Sequence, residues 1–507
     1  MTMSAEALAA DYLATGTVAG APSGHFIDGR EQDSLSGEKM DIFDPGLGRP
    51  FAAVAAGDRA DAELAVASSV KAFPAWRRLA PAERGRILNR MAALIRENAD
   101  QLAMLETLDV GKTLAESRGN AHSAARTFEY YAGVCDKLQG DSLPVGFGQI
   151  GLTLLEPVGV VAQIIPWNFP MTTFARGIAP ALAAGCCVVA KPAETTPHTA
   201  ILLARLLSDA GLPPGVCNVV LGEGPSVGAT LSAHPDVAHV TFTGSTKTGV
   251  RVMQAAAEHF ASVTMELGGK SPVIALADCD IEAAAQGAAG AIFENAGQIC
   301  SAGSRLVVDR AIHRKLVDRV VEIAGEITVG HGLRGNKMGA INSRRQMDMI
   351  LGFTDRARRD GRAILCGGKE LQDADGGEGW FIGPTVIDDL PDDDPCIQEE
   401  IFGPVLSVQV VDGPEDALRA ANATRYGLMA GIYSSNISSA LAIARDLETG
   451  SVTINDYWGG GVEVPFGGVG HSGFGREKGL VAVQAYCRVK SVVAQVPATL
   501  SQETRNN

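Results

Sequence analysis

The sequence predicts an α/β fold: a doubly wound nucleotide-type domain, a second α/β domain after it, and a small β extension belonging to neither. Three observations predict it. From Val160 onward, short β-branched runs alternate with helix-like stretches, as a parallel sheet with crossover helices requires. A second alternating series begins just after the glycines Gly268 and Gly269. Two strand-like segments, 148–159 and 486–496, fit neither series. With 507 residues the chain is long enough for two or three cores.

Taken in order, the opening stretch 1–16 lacks the basic and apolar regions of a signal peptide. Ile87, Leu88, Met91, Leu94 and Ile95 recur at helical spacing, so the N-terminal part is expected to be mainly helix and to cover the first sheet. The first strands are expected at Val160–Ile165, Cys187–Lys191, Asn218–Leu221, His239–Thr243 and Val263–Leu267. The second series is expected at Pro272–Leu276, Arg305–Asp309, Leu406–Val411, Ala430–Ser434 and Ser451–Asn455. No apolar run approaches the roughly 18 residues of a membrane span, so a cytoplasmic location is the expectation.

The formal net charge is −15, which argues against a sequence-independent grip on nucleic acid or an anionic membrane. Nine cysteines, an odd number without a CxxC pair, do not read as a disulfide framework or a zinc site. Cys135, Cys186, Cys187, Cys217, Cys279, Cys366, Cys396 and Cys487 read as small buried hydrophobes. The nine histidines are scattered without metal-ligand spacing, so no metal is expected.

Three residues carry the kinds of group that covalent catalysis at a carbonyl uses: a soft nucleophile, a carboxylate base and an amide donor. Cys300 follows a glycine-containing turn and precedes Ser301, Ala302 and Gly303, small residues that let other groups approach closely. Alone, it reads equally as a buried structural thiol. Glu266 ends an apolar strand beside two glycines, where a solvated boundary carboxylate is the plainer reading. Asn168 lies among Pro166, Trp167, Phe169 and Pro170 at the mouth of a strand, a place for a ligand or simply a turn. Two glycine turns suit phosphates. Gly222–Gly228 departs from GxGxxG by one residue, while Gly244 and Ser245 stand at a helix start whose N–H groups and dipole favour a pyrophosphate. Lys191 and Glu194 follow a strand but precede both turns, so the usual dinucleotide order is not met.

The stretches 293–305, 263–272 and 164–170, with Cys300, Glu266 and Asn168 inside them, resemble the aldehyde dehydrogenase superfamily, hydrolytic and NAD(P)-dependent. The likeness runs from about residue 25 to about residue 495. It implies oxidation of an aldehyde to a carboxylic acid through a cysteine thiohemiacetal and a thioester. Cys300 is then the nucleophile and Glu266 the base that activates water. Asn168 and the backbone N–H of Cys300 form the oxyanion hole, where one donor is worth about 3 kcal/mol. The implied cofactor is NAD, with NADP as the alternative. Gly244 and Ser245 would lie beneath its phosphates, with Ile164, Pro166, Trp167, Gly224, Gly228, Phe242 and Leu267 around it. Lys191 and Glu194 would take the adenosine ribose, Glu400 the nicotinamide ribose, and Phe402 the nicotinamide itself.

The resemblance also implies a division: 1–140 and 159–267 as the NAD-binding domain, 268–485 as the catalytic domain, and 141–158 with 486–500 as oligomerisation segments of a homodimer or homotetramer. The segment 465–479 fits the family's turn-rich close, its glycines read as structural. Two rival readings are a CoA-acylating semialdehyde dehydrogenase, against which Glu266 argues, and a catalytically silent binding homologue. Many relatives carry lysine where this chain has Gly177, which puts a proton relay through that lysine in doubt. Phe169 and Arg176 are expected to line the aldehyde tunnel on one helix face, with Trp458 and Tyr457 at its wall. Arg176 could then pair with a polar or acidic substrate tail, the plainer reading being an arginine bonded to neighbouring backbone.

Overall fold

Successive side chains of a strand point to opposite faces, so an apolar run buried on both faces must feed two cores. Both strand series do this in the computed structural model, which describes residues 5–372 and 378–496. In Val160–Ile164, Val161 joins one hydrophobic cluster while Val160, Ala162 and Ile164 join another. In Pro272–Ala275, Val273 and Ala275 face one core and Ile274 the other. The parts of the expected segments at 1–4 and 497–500 lie outside the described residues.

The first series builds an eight-stranded sheet. Val160–Ile164, Cys187–Lys191, Cys217–Val219, Val237–Thr243 and Ser262–Glu266 run parallel within it. The chain lays its second and third strands to one side of Val160–Ile164, then returns to place the fourth and fifth on the other. Open α/β sheets take ligands where strand order reverses, outside the carboxyl ends. Here that point lies between the ends of Val160–Ile164 and Val237–Thr243, from which the Asn168 loop and the Gly244–Ser245 turn depart. A hairpin of His25–Ile27 and Arg30–Gln32 extends one edge, and Gly473–Phe474 pairs with Ser262–Glu266 at the other.

The N-terminal part is helical from Arg59 on, in Arg59–Trp76, Pro81–Glu97, Ala99–Val110 and Leu114–Ala132. Arg59–Trp76 packs on Cys187–Lys191, and Pro81–Glu97 with Leu114–Ala132 form a further layer on the helix Pro170–Ala184. The expectation of a mainly helical start does not extend to residues 25–55, which form four strands. Asp28 and Gly29 turn the first hairpin with φ of 54° and 78°, the left-handed pair that a two-residue hairpin loop demands.

The second series supplies five strands of a seven-stranded sheet, to which Thr385–Asp388 and Ala363–Cys366, not expected from the sequence, add one edge. Its neighbours in order are Ala363–Cys366, Thr385–Asp388, Val405–Val411, Arg305–Asp309, Pro272–Ala275, Met429–Tyr433 and Ser451–Ile454. The segments leading into three of these strands carry Gly268 and Gly269, Cys300, and Glu400 with Phe402. Carboxyl ends of one sheet therefore meet amino ends of the other. The two leftover segments pair with each other: Cys487–Gln495 runs antiparallel to Gln149–Pro157, with Ser142–Leu143 beyond it. No described helix is long and apolar enough to cross a membrane.

Candidate active site

Cys300 sits on a loop that only tertiary contacts can hold. After the helix Ile281–Phe293, Asn295, Ala296 and Gly297 take φ of 48°, 51° and 69° in succession. Left-handed backbone at the two non-glycine residues costs roughly 1–2 kcal/mol each and must be repaid by neighbours. The Asn295 N–H donates to Glu116 Oε1 at 2.7 Å, and Glu116 is also half of the capping box that starts Leu114–Ala132. Gln298 Nε2 donates to the carbonyls of Asn295 and Ala340, while its Oε1 accepts from the Asn342 N–H at 2.8 Å. Beyond the cysteine, Tyr457 Oη donates to the carbonyl of Ser301 at 2.7 Å. Gly269 is required beside it, because a Cβ there would stand 2.5 Å from the Cys300 carbonyl oxygen.

Asn168 reaches the same loop from the first sheet. Its Nδ2 donates to the Gln298 carbonyl at 2.8 Å, and Asn295 Nδ2 donates back to the Asn168 carbonyl at 3.2 Å. An amide nitrogen has two hydrogens, so this bond aims the side chain while leaving a second donor. Below it, the buried Glu106 accepts from the Met171 N–H and pairs with Lys112, whose Nζ lies 3.8 Å from the centre of the Phe169 ring. Phe169 is therefore a partner of that buried cation.

Glu266 ends the strand Ser262–Glu266, 2 % exposed, with neither carboxylate oxygen hydrogen-bonded. A buried, unpartnered carboxylate is held neutral more readily than charged. Burial, and then the neighbouring Glu477 carboxyl, push it well above its ordinary range, with Arg176 and Arg476 opposing. Burial likewise pushes the Cys300 thiol up to about 12; Arg176 opposes this, and Glu400 and Glu266 add to it. Burial thus raises the proton affinity of both groups. A carboxylate of raised proton affinity beside a thiol is a stronger base than an ordinary surface glutamate.

Lys191, Trp167, Gly244 and Ser245 lie at or just beyond the carboxyl ends of strands of the first sheet. Ser245 caps the helix Thr246–Ala257, and the first turn of a helix presents backbone N–H groups to an anion. Gly244 bends under the Phe242 ring, where a Cβ would come within 2.7 Å, and its N–H donates to the Glu266 carbonyl. Gly224–Gly228 leads into a short helix, and the stem of Lys191 passes Gly228. The Lys191 ammonium is buried, donating to the Pro192 carbonyl and standing 3.5 Å from the half-exposed Glu194, a donor and acceptor together as a ribose diol requires. The Leu267 side chain lies against Gly249, and Ile164 and Pro166 lead into Trp167, which meets Phe402 edge to face at 5.3 Å. Glu400 accepts from the Gly269 N–H at 3.0 Å, and a Cβ at Gly268 would overlap its carboxylate. Burial raises that carboxyl to about 7. Among the described residues no group of three or more His, Cys, Asp or Glu could hold a metal.

Two expectations change, those for Arg176 and Tyr457. Arg176 does not present a free fork to a substrate: its guanidinium pairs with Glu477 and stacks on Phe466 at 4.6 Å. Tyr457 is a buried post beneath the Cys300 loop, packed against Gly303 and Gly431, and not a wall residue. Trp458 is 38 % exposed and donates Nε1 to the Gly290 carbonyl at 3.4 Å. The residues that sequence reasoning missed are Glu116, Glu106, Lys112 and Glu477. A capping box at Thr113–Glu116 was legible, but not its second bond to Asn295. Glu477 stands between Arg476 and Lys478 and reads as part of a solvated charge run.

The Aldehyde dehydrogenase family profile matches residues 32–492. Aldehyde dehydrogenase 1 of Tanacetum cinerariifolium is 42 % identical over 481 residues, covering 93 % of this chain and 95 % of that protein. The crystal structure of an indole-3-acetaldehyde dehydrogenase complexed with NAD+ superposes with a TM-score of 0.94 at 41 % identity, covering 98 % of this chain and 100 % of that one. Betaine aldehyde dehydrogenase from Staphylococcus aureus, solved in complex with NAD+, gives 0.92 at 35 % identity over 95 % of this chain and 96 % of that one. With a family profile spanning nearly the whole chain and relatives matched end to end, this protein belongs to the aldehyde dehydrogenase family.

Proposed function

We propose that the protein oxidises an aldehyde to a carboxylic acid with NAD, through a thioester on Cys300. The observation that carries this is the convergence of Cys300, Asn168 and Glu266 between the two sheets, with Glu266 left buried and without a hydrogen-bond partner. Cys300 gives its proton to solvent and its sulfur adds to the aldehyde carbon, the carbonyl π pair moving to oxygen to form a thiohemiacetal. The second Asn168 hydrogen and the Cys300 N–H meet the oxyanion. Bound beside it, NAD supplies the hydride acceptor that turns thiohemiacetal into thioester. Glu266 then takes a proton from water as the water oxygen adds to the thioester carbon. The C–S bond breaks, the sulfur leaves with the proton that Glu266 returns, and the acid departs. A buried carboxylate with no protein hydrogen-bond partner is free to activate water, a step that hydrolysis needs and that transfer to the more nucleophilic CoA thiol needs less.

Lys191 and Glu194 would hold the adenosine ribose, the helix at Ser245 the pyrophosphate, and Glu400 the second ribose. Residues 1–140 with 159–267 form the NAD-binding part of this reading, and 268–485 the catalytic part. Cys300→Ala is expected to abolish turnover and the NADH burst, while Glu266→Gln keeps the burst and accumulates an acyl-enzyme visible by mass spectrometry. Near wild-type activity of Cys300→Ala would sink the mechanism. Glu194 repels a 2′-phosphate, so kcat/KM is expected to be higher with NAD than with NADP. The reverse order in steady-state kinetics would overturn that assignment.

A further inference from the structure

Glu266 and Glu477 are two buried carboxyls, 2 % and 1 % exposed, that repel each other. Arg176 reaches them from the helix Pro170–Ala184. Its guanidinium forms an ion pair with Glu477 and lies 4.6 Å from the centre of the Phe466 ring. Phe466 and Glu477 exchange two backbone hydrogen bonds of 2.7 Å, so ring and carboxylate act as one clamp. The next residue, Gly467, lies against Glu266: a Cβ there would stand 2.7 Å from Oε1. The segment that grips Arg176 therefore also closes over Glu266. At Gly177 a Cβ would fall 2.1 Å from the Gln163 side chain, so a longer residue has no room there unless Gln163 moves.

We propose that Arg176 is a positioning residue for Glu266: pinned by Glu477 and Phe466, it is the fixed positive charge in whose field Glu266 releases the acyl group from Cys300. This rests on the roles of Glu266 and Cys300 proposed above. The charged groups facing Glu266 are Glu477, Arg176 and Arg476, with the Cys300 thiol and the Tyr486 hydroxyl beside it. Lys478 faces Glu477 and Arg176. Arg476 is engaged with the carbonyls of Gly468 and Gly475, whereas Arg176 pairs directly with a carboxylate of the cluster.

The test uses 4-nitrophenyl acetate, an activated ester that acylates a thiol without any cofactor. The nitrophenolate burst counts acylated Cys300, and the steady rate after it reports hydrolysis. Arg176→Gln is expected to keep the burst, slow the steady rate about tenfold or more at neutral pH, and move the midpoint of its pH profile upward. Arg176→Lys should keep a midpoint close to that of the wild type. Glu477→Gln should move it downward, because Arg176 then acts on Glu266 unopposed; this variant decides the matter if Arg176→Gln does not fold. The proposal is overturned by an unmoved midpoint in either glutamine variant, or by an Arg176→Gln whose sole defect is a raised KM for acidic aldehydes. Glu266→Gln serves as the separate control. If it hydrolyses the acyl-enzyme as fast as the wild type, the base reading of Glu266 fails; if it does not, an unmoved Arg176→Gln profile counts against Arg176 alone.

Discussion

A carboxyl at the end of a strand usually meets water, yet Glu266 is closed off by Gly467 and by the neighbouring Glu477. Its proton is held more tightly in the fold than in the unfolded chain. Below about pH 4.5, its ordinary value, the group is protonated in both states and costs nothing. As pH rises above that value toward the raised one, the unfolded state loses the proton first and stability falls, by about 1.4 kcal/mol for each unit of displacement. Glu266→Gln should therefore gain unfolding temperature over the wild type at pH 8 and lose that advantage near pH 4. Equal differences at both pH values would mean the carboxyl is not perturbed. The same displacement, with Cys300 pushed up to about 12, predicts that kcat/KM climbs from pH 6 to pH 9, read in initial rates of NADH formation. Cys300, Glu266 and Asn168 were legible as types in recognisable settings. The partner of Arg176 was not, because helical spacing states which face a side chain shares and not which distant carboxylate waits there.

The loop from Asn295 to Gly303 shows how an element can be strained yet determinate. It has no ladder of its own and is held by Glu116 from one helix, Asn342 from a loop, and Tyr457 from beyond the last strand of the second sheet. Gly297 is its narrowest point, with φ of 69° and a would-be Cβ 2.1 Å from the Gly403 carbonyl oxygen. Gly297→Ala should cost at least about 1–2 kcal/mol from the left-handed conformation alone, more with the clash. Urea denaturation measures the loss, and iodoacetamide labelling of Cys300 should report a misplaced thiol. An alanine variant as stable and as reactive as the wild type would show that the loop relaxes freely. Strands in both series were legible to within a residue or two, since β-branched runs between helical stretches mark them. The hairpin at Asp28 and Gly29 had a readable turn signal, but its strands of three residues were too short to stand out.

At the scale of the whole molecule, the three-stranded sheet stands apart from both cores. Ile150, Leu154, Val489 and Val493 on it are 51 %, 45 %, 67 % and 56 % exposed, and Cys487–Gln495 has an open edge. An apolar strand with unpaired N–H and C=O groups is a template for another chain, so we infer that this sheet joins subunits of a homodimer or homotetramer. Val489→Lys with Val493→Lys should convert the oligomer to monomer in light scattering; a wild type that is already monomeric would remove the reading. The sequence by itself determined the class of fold and the five strands of each alternating series, and it singled out Cys300, Glu266 and Asn168 as candidates, because these depend on local periodicity and on residue types within short motifs. Only the tertiary structure decided that carboxyl ends of one sheet face amino ends of the other. The same packing paired Arg176 with Glu477, buried Glu266 between them and the closing segment, and set Tyr457 beneath Cys300. Those contacts join residues more than a hundred positions apart, and no period or propensity along the chain encodes which distant groups packing will bring together.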